Sequence, residues 1–326
     1  MKPKIVVTGA GLVLGQGIIR SLQWSSLEPV IICTDPVEYS AGLFWGDRGY
    51  RTPFASQDGY IARIEEVLAA EKPDALLLGS DVELLKMAAE RERLEKTYGT
   101  KVIVSSPKVV EIANDKYLTY RFLKEAGFDY PDSCLPGEER ALIARVGFPL
   151  VVKPRVGARS VGVSVVRDAA ALAATLAGRP DVVIQECVGD SETEYTASAL
   201  AFDGTCNASI VMRRELRDGN TYRGFTGQYP ELNTLVRRLG ATLGPHGPAN
   251  FQFRLDAEGR AKVFEINGRF SGTTPLRALA GFNEVEMCLR HVLYGEPVVQ
   301  PPVEDVAICR HWSETVVRPA QLAALK

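Results

Sequence analysis

The sequence lacks any pair of cysteines at the spacing that binds a metal. Its six cysteines are scattered along 326 residues, at positions 33, 134, 187, 206, 288 and 309. In a chain of this size, scattered cysteines are typical of the reduced thiols of a cytosolic protein and argue against a disulfide framework. The three histidines, at positions 246, 291 and 311, also lack metal-ligand spacing, so we interpret them as surface or packing residues.

An excess of charge and a long apolar run are absent as well. The chain has 38 basic and 40 acidic residues, a net charge of −2 and no run of lysine and arginine, so nothing indicates a nucleic-acid partner. No stretch approaches the length that crosses a membrane. The apolar run that starts at Ile5 breaks at Thr8 and Gly9 without a signal-peptide cleavage site. We therefore expect a soluble, cytoplasmic protein with no membrane partner.

The composition that is present, 46% hydrophobic and 24% charged, is ordinary for a globular enzyme. The length predicts two or three packed domains. Over the first part of the chain, short apolar strands alternate with helices, for example strand 74–78, helix 82–98 and strand 101–104. This alternation predicts a parallel, doubly wound sheet.

A glycine-rich turn at residues 9–15 follows the first predicted strand, and the second predicted strand, 29–34, ends at Asp35. One interpretation is a dinucleotide site with Asp35 on the ribose hydroxyls. The glycine spacing is not GxGxxG, however, and βαβ units use such turns simply to pack a helix against a strand. We favour the packing interpretation, and an oxidoreductase with a nicotinamide cofactor stays as the alternative.

Lys116 lies in the first turn of a helix predicted over residues 114–126, with Asn114 or Asp115 as its cap. The helix macrodipole disfavours a cation at that position. Lys116 therefore indicates an anion bound nearby, and an exposed lysine without a role is the alternative.

Lys153 lies on a strand predicted over residues 148–154, which leads into a loop with glycines and a serine at 155–162. Backbone N–H groups in such a loop, flanked by a lysine and an arginine, suit the covering of phosphates. A mobile hairpin tip gives the same pattern. The chain has no Gly-Lys dipeptide, which excludes a Walker-type P-loop.

Glu265 and Asn267 are two residues apart at the end of a predicted strand, so both side chains leave the same face, with Arg269 close behind. The preceding segment, 250–255, predicts a partner strand that places Gln252 beside Glu265. A carboxylate with amide oxygens forms a site for a hard cation such as Mg²⁺ carrying phosphates. A surface hairpin with a solvated polar face is the alternative.

These motifs, in their order along the chain, resemble the ATP-grasp superfamily, in particular one ATP-grasp unit of the carbamoyl-phosphate synthase large subunit and its short-form bacterial relatives. The matching segments are Asn114–Lys116, 148–154 with its 157–162 loop, 185–188, Glu194 with Tyr195, Gln252, and 264–269. The resemblance covers nearly the whole chain. It implies an α/β protein with an N-terminal Rossmann-like pre-ATP-grasp domain (1–112) and a two-lobed α+β ATP-grasp fold. The two lobes are a lid subdomain (113–187) and a C-terminal subdomain with the metal and phosphate site (188–326).

The resemblance also implies roles for individual residues. The residues implied to bind ATP are Lys116, Lys153, Gly157, Ser160, Gly162, Glu186, Val188 and Glu194. Those implied to hold one or two Mg²⁺ ions, or Mn²⁺ in their place, are Gln252, Glu265 and Asn267. Arg269 and Lys153 are the implied catalytic residues, with Arg269 neutralising the phosphoryl group in transfer. Glycine at 268, where proline is common in the family, and Arg159 in the loop are departures that remove no ligand.

The implied activity is an ATP-dependent carboxylate–amine ligase that forms an acyl phosphate and releases ADP and phosphate. Its expected partners are small-molecule carboxylate and amine substrates and a second copy of the chain in a homodimer. The candidates to bind the substrate carboxylate are Arg213, Arg214, Arg223 and Arg277. A catalytically silent nucleotide-binding protein is a further alternative, although the retained lysines and metal ligands argue against it. With one ATP-grasp unit and no glutaminase-like segment, carbamoyl-phosphate synthesis itself is not expected.

Overall fold

The computed structural model describes residues 2–157 and 160–326, so Arg159 and Ala158 lie outside the described residues. The first part of the chain forms a parallel sheet of five strands in the order β3-β2-β1-β4-β5. The strands are β1 (Lys4–Val7), β2 (Val30–Asp35), β3 (Arg48–Arg51), β4 (Ala75–Leu77) and β5 (Lys101–Ile103). The helices between them are α1 (Val13–Gln23), α2 (Tyr60–Glu71) and α3 (Leu84–Tyr98). The doubly wound parallel sheet predicted from the sequence is confirmed.

Alternation along β1 explains why helices cover both faces of this sheet. Ile5 and Val7 pack with α1 on one face, while Val6 packs with α2 and α3 on the other. All three side chains are fully buried, as period-two alternation in a doubly covered strand requires.

Two helices lead out of the first sheet, α4 (Pro107–Asn114) and α5 (Lys116–Glu125). The sequence predicted one helix over 114–126 with Asn114 or Asp115 as its cap. The structure selects Asp115, whose carboxylate accepts hydrogen bonds from the N–H groups of Tyr117 at 2.8 Å and Leu118 at 3.3 Å. This cap leaves Lys116 as the first helical residue.

A four-stranded antiparallel sheet follows, in the order β6-β9-β7-β8. Its strands are β6 (Ser133–Cys134), β7 (Leu150–Pro154), β8 (Ser164–Val166) and β9 (Val182–Glu186). Helices α6 (Glu139–Val146) and α7 (Ala169–Leu176) pack against it. This sheet carries Lys153 and the loop that follows it.

The remaining strands form a six-stranded antiparallel sheet in the order β14-β13-β10-β11-β12-β15. They are β10 (Glu194–Phe202), β11 (Thr205–Arg217), β12 (Asn220–Phe225), β13 (Gly247–Leu255), β14 (Ala261–Asn267) and β15 (Ala307–Cys309). Helices α8 (Pro230–Leu243), α9 (Thr274–Leu279), α10 (Glu284–Tyr294) and α11 (Pro319–Ala323) complete the chain. Gln252 pairs with Glu265 across β13 and β14, so the predicted pairing of these two residues is confirmed.

The first and the largest sheets share a hydrophobic core. Side chains of α1 and β1 pack with Phe202 of β10 and with Val285 and Leu289 of α10 in one cluster. The carboxy-terminal residue returns to the edge of the first sheet, where the N–H of Arg51 donates to the carbonyl of Lys326 at 2.8 Å. The division at residues 112 and 187 remains a prediction. Within the described part of the chain, no helix has both the length and the apolar character that a membrane crossing requires.

Candidate functional site

A cleft of about 230 Å³ lies between the four-stranded and six-stranded sheets. Strands β7, β8 and β9 form one wall, and β10, β11, β13 and β14 form the other. Ten of the residues predicted from the sequence line it: Lys116, Lys153, Gly157, Ser160, Glu186, Val188, Glu194, Arg214, Gln252 and Glu265. The structure therefore brings together side chains that span more than 140 positions of the sequence.

Lys153 projects from β7 into the floor of the cleft. Its ammonium donates to Gln185 Oε1 at 2.7 Å and lies 5.4 Å from the centre of the Phe264 ring. Lys116, at the start of α5, donates to the carbonyl of Gly157 at 2.8 Å. Both lysines are buried, and two buried lysines that meet in one cleft favour an anionic ligand there, because an anion offsets the cost of burying their charge.

The loop after β7 has a backbone that is unusual at three of the predicted positions. Gly157, Ser160 and Gly162 all have positive φ, and Ser160 is a non-glycine residue in the left-handed region. Gly157 and Ser160 line the cleft, whereas the carbonyl of Gly162 accepts from the Arg179 guanidinium at 2.7 Å. Arg159, noted as a departure from the family pattern, is outside the described residues.

The segment after β9 also lines the cleft. Val188 is buried there, and its carbonyl accepts from Arg254 at 3.3 Å. The Glu186 carboxylate accepts from the Lys262 ammonium at 2.8 and 2.9 Å and from the N–H of Asp132 at 3.0 Å. The Glu186 side chain is thus paired with protein groups, and its position at the cleft is fixed.

Glu194 is almost completely buried and is held by two arginines. Arg214 donates to Oε1 of Glu194 at 3.0 and 2.7 Å, and Arg254 donates to Oε2 at 2.9 and 2.7 Å. The two guanidinium groups thus donate to both oxygens of this buried carboxylate. Arg214, which was a candidate to bind the substrate carboxylate, therefore already pairs with a carboxylate of the protein itself.

Glu265 lies between two amide side chains. Gln252 Nε2 donates to Glu265 Oε1 at 3.3 Å, and Asn267 Nδ2 donates to the same oxygen at 3.1 Å. The amide oxygens point to arginines, with Gln252 Oε1 2.6 Å from Arg214 and Asn267 Oδ1 2.8 Å from Arg269. One carboxylate with two adjacent amides fits a hard cation such as Mg²⁺, which takes one or two carboxylates and completes its shell with phosphates.

No group of three His, Cys, Asp or Glu side chains that suits a metal occurs among residues 2–157 and 160–326. A cation at Glu265 would therefore depend on the two amides and on oxygens of a bound phosphate. Oxygen ligands of this kind select a hard cation.

Arg269 extends the site toward the first sheet. Its Nε donates to Asp81 Oδ1 at 2.6 Å and its Nη2 to Asp81 Oδ2 at 3.0 Å, a bidentate pair across 188 residues of sequence. Asp81 follows β4 and was missed by the sequence analysis, as was Arg254. The position of Asp81, just after a parallel strand, could have indicated a role in the site, because ligands of parallel sheets bind at the carboxyl ends of the strands.

The four arginines proposed for the substrate carboxylate have different surroundings. Arg277 is fully buried and pairs with Glu284 at 3.0 Å, so a substrate cannot reach it, and that expectation is corrected. Arg223 is exposed and pairs with Glu215 at 3.0 Å, and the guanidinium of Arg213 stacks 4.0 Å from the centre of the Phe225 ring. Arg214 alone of the four lines the cleft.

Side chains of the protein occupy the space beside the glycine-rich turn where a cofactor would bind. Asp35 accepts from the N–H of Gly11 at 2.7 Å, from the N–H of Val37 at 2.9 Å and from the Ser40 hydroxyl at 2.6 Å. A Cβ on Gly11 would lie 2.0 Å from the Ser40 hydroxyl oxygen. Asp35 thus closes the turn instead of facing a ligand, which favours the packing interpretation over a dinucleotide site.

We expect nucleotide binding to take up a proton at Lys153. Burial lowers the pKa of Lys153 to about 7, while Glu265 and Glu194 oppose the shift and Lys116 and Arg254 add to it. Bound phosphates would raise this pKa, because an anion favours the charged ammonium. Affinity should therefore fall as pH rises above 7, by at most about tenfold per pH unit.

Calorimetric titration of the protein with Mg-ATP at pH 7.5, in buffers of different ionisation enthalpy, measures this proton uptake. Lys153→Arg is the matched control, because an arginine stays charged throughout this range. Equal proton uptake by the wild type and Lys153→Arg would show that Lys153 is not the group that is titrated.

A family model described as "ATP-grasp in the biosynthetic pathway with Ter operon" matches residues 179–315 of the chain. The carbamoyl phosphate synthase large chain of Thermoanaerobacter pseudethanolicus is 25% identical over 314 residues, which cover 85% of this chain. The chain spans only 28% of the length of that relative.

Two solved structures share the fold. N5-carboxyaminoimidazole synthetase from Staphylococcus aureus, complexed with ADP, aligns with a TM-score of 0.74 at 14% identity and covers 92% of this chain and 80% of its own. The biotin carboxylase domain dimer of the Hydrogenobacter thermophilus 2-oxoglutarate carboxylase, with MgADP and bicarbonate, aligns with a TM-score of 0.74 at 18% identity. The alignment covers 95% of this chain and 75% of the biotin carboxylase chain. The resemblance drawn from the sequence motifs, and the fold that it implied, are confirmed.

Proposed function

We propose that the chain is an ATP-grasp enzyme, an ATP- and Mg²⁺-dependent ligase that joins a carboxylate to an amine or a related nucleophile. The observation that carries the proposal is the convergence of Lys116, Lys153 and Glu265 in one cleft between two sheets. Lysines that bind phosphates and oxygen ligands that bind a hard cation are the combination that a metal-bound nucleotide requires. Relatives that bind ADP or MgADP in the same fold support the proposal.

In this proposal the nucleotide lies along the cleft. Lys116 and Lys153 bind its phosphates, with Gly157, Ser160 and Gly162 in the loop above them. The base and ribose lie at the other end, against Glu186, Val188 and Glu194. Apolar side chains of the loop and β8, such as Val161, Val163 and Val165, line the cleft and suit the flat face of a base.

The cation belongs at Glu265, with Asn267 and Gln252 beside it. Bound there, Mg²⁺ would neutralise phosphate charge and orient the terminal phosphoryl group. The chain itself supplies the remaining positive charge, from the two lysines and from Arg269. Positioning and charge neutralisation are what phosphoryl transfer requires of a protein.

The reaction proceeds in two steps. A carboxylate oxygen of the substrate attacks the γ-phosphorus, and the bond from that phosphorus to ADP breaks, which leaves an acyl phosphate and ADP. The amine then attacks the acyl carbon and phosphate leaves, giving an amide and one released proton. Arg269 faces the charge that develops in the first step, and the loop over the lysines limits access of water to the acyl phosphate.

The test uses a carboxylate labelled with ¹⁸O and a panel of amines, with hydroxylamine as a general nucleophile. We expect ADP and inorganic phosphate as products, with one ¹⁸O atom in the phosphate, because the oxygen that bridges to phosphorus leaves with it. Arg269→Ala should slow this transfer more than it weakens ATP binding, since its charge is needed mainly in the transition state. Mass spectrometry of the phosphate gives the answer.

Products of a different kind would contradict the proposal. AMP and pyrophosphate, with the label in AMP, would show adenylation of the carboxylate instead of phosphorylation. The oxidoreductase alternative requires that NAD(H) or NADP(H), and not Mg-ATP, stabilise the folded protein against heating. That result would remove the ligase proposal altogether.

A further inference from the structure

Large apolar side chains are exposed at one edge of the parallel sheet. They occur in the segments that follow four of its strands, at the carboxyl ends of β1, β2, β3 and β4. The residues are Leu12, Val13, Val37, Tyr39, Phe54, Val82 and Leu85. Exposed apolar side chains gathered in one place, and not scattered singly, indicate a binding surface.

Four of these side chains belong to two segments that adjoin each other and the Arg269 loop. The segment after β1 approaches the segment after β4, where a Cβ on Gly9 would lie 3.1 Å from the carbonyl of Gly79. Val13 Cγ1 lies 3.2 Å from the Cβ position of Gly272, three residues after Arg269. We call Leu12, Val13, Val82 and Leu85 the apolar rim.

The Asp81–Arg269 pair lies beside this rim, because Asp81 immediately precedes Val82. Arg269 is mostly buried, whereas the Asp81 side chain is 38% exposed. The guanidinium presents Nε and Nη2 to the two oxygens of a carboxylate, at 2.6 and 3.0 Å. The site beside the rim is thus already shaped for a carboxylate, and an accessible side chain of the protein now fills it.

We propose that the carboxylate substrate carries a large apolar group, which lies on the apolar rim while its carboxylate takes the place of Asp81 on Arg269. This inference rests on the proposed function, since it assigns the class of substrate for that reaction. Charge complementarity selects the occupant, because a bidentate arginine matches a carboxylate and the rim offers only apolar surface. When the substrate carboxylate replaces the Asp81 carboxylate, Arg269 still has a carboxylate partner.

Each methylene of the substrate that the rim covers should raise affinity by roughly fourfold, the effect of removing one CH₂ group from water. Acetate, butyrate and hexanoate, and the α-amino acids with two, four and six carbons, form matched series. Hexanamide tests the carboxylate, since an uncharged amide lacks the charge that Arg269 binds. We expect it to bind at least about tenfold more weakly than hexanoate.

The measurement is calorimetric titration of the full chain, with Mg²⁺ and a non-hydrolysable ATP analogue present. Val82→Ser combined with Leu85→Ser should reduce the gain per methylene by half or more. Trp24→Ser removes an exposed apolar side chain at the opposite end of α1 from the rim and should leave the gain unchanged. Asp81→Asn removes the competing charge and should tighten binding of every carboxylate in the series.

Equal gains in the rim variant and in Trp24→Ser, or no binding in either series, would overturn the inference. So would a dimer in the wild type that the rim substitutions separate on sedimentation, since the rim would then contact a second copy of the chain. Hydroxamate formation from hydroxylamine and ATP reports on the ligase reaction independently. Hydroxamate without a gain per methylene contradicts only this inference, and a gain per methylene without hydroxamate contradicts only the proposed function.

Discussion

Glu265→Gln should lower the rate of ADP formation by at least about a hundredfold, as does the loss of a key electrostatic group in other enzymes. Glu265 is the only carboxylate of the proposed cation site, and the substitution removes its charge while keeping its shape. The two neighbouring amides can still donate to the oxygen that remains, at the positions they occupy now. The fold should therefore change little, and the loss should appear in catalysis.

Glu258→Gln is the matched control for this prediction. Glu258 lies in the turn of the same hairpin, is well exposed and pairs with Arg260 on the surface. The same chemical change there should leave ADP formation within about twofold of the wild type, as expected of an exposed pair. A folded Glu265→Gln protein with wild-type turnover would show that the hairpin does not hold the cation.

Arg277→Met should destabilise the protein by about 3–5 kcal/mol, the usual cost of removing one partner of a buried ion pair. Arg277 and Glu284 are both fully buried, and their contact of 3.0 Å joins α9 to α10. Arg277 also donates to Asn250 Oδ1 at 2.5 Å, on β13. Methionine fills much of the volume but leaves the Glu284 carboxylate without a counter-charge, with only the hydroxyls of Ser198 and Thr274 to donate to it.

Urea unfolding of the variant tests this explanation, because it measures the free energy of unfolding directly. Adding Glu284→Gln should restore part of the stability. The surface control Arg223→Met breaks an exposed pair and should cost less than about 1 kcal/mol. Equal losses in Arg277→Met and Arg223→Met would contradict the buried-pair explanation.

Local patterns in the sequence were sufficient for many of the elements, and the resemblance to a known family supplied most of the predicted residues of the cleft. Lys153 and Glu265 each lie on a strand whose alternation is visible in the sequence, and β13 and β14 are joined by a short turn that fixes their pairing. The sequence left two possible N-caps for α5, Asn114 and Asp115, because both residue types are good caps. The side chain that caps the helix depends on the backbone at that position.

Such local patterns could not predict which side chains contact each other when the residues are far apart in the chain. Nothing in the neighbourhood of Asp81 indicates that it meets Arg269, and the arginines that hold Glu194 come from two other strands. Arg277 is the clearest case, since an arginine is expected at the surface unless a buried acid pairs with it. Its burial follows from Glu284 and the tertiary contacts of α9, which a single sequence does not contain.

Gln252 and Asn267 have one side-chain oxygen each, and both oxygens are now bound by arginines. A cation that recruits these oxygens must take them from Arg214 and Arg269. By thermodynamic reciprocity, an anion that takes the guanidinium groups leaves the oxygens available for the cation. A cation, and an anion that draws Arg214 and Arg269 away from these oxygens, should therefore show heterotropic cooperativity, each tightening the binding of the other, even where they share no direct contact.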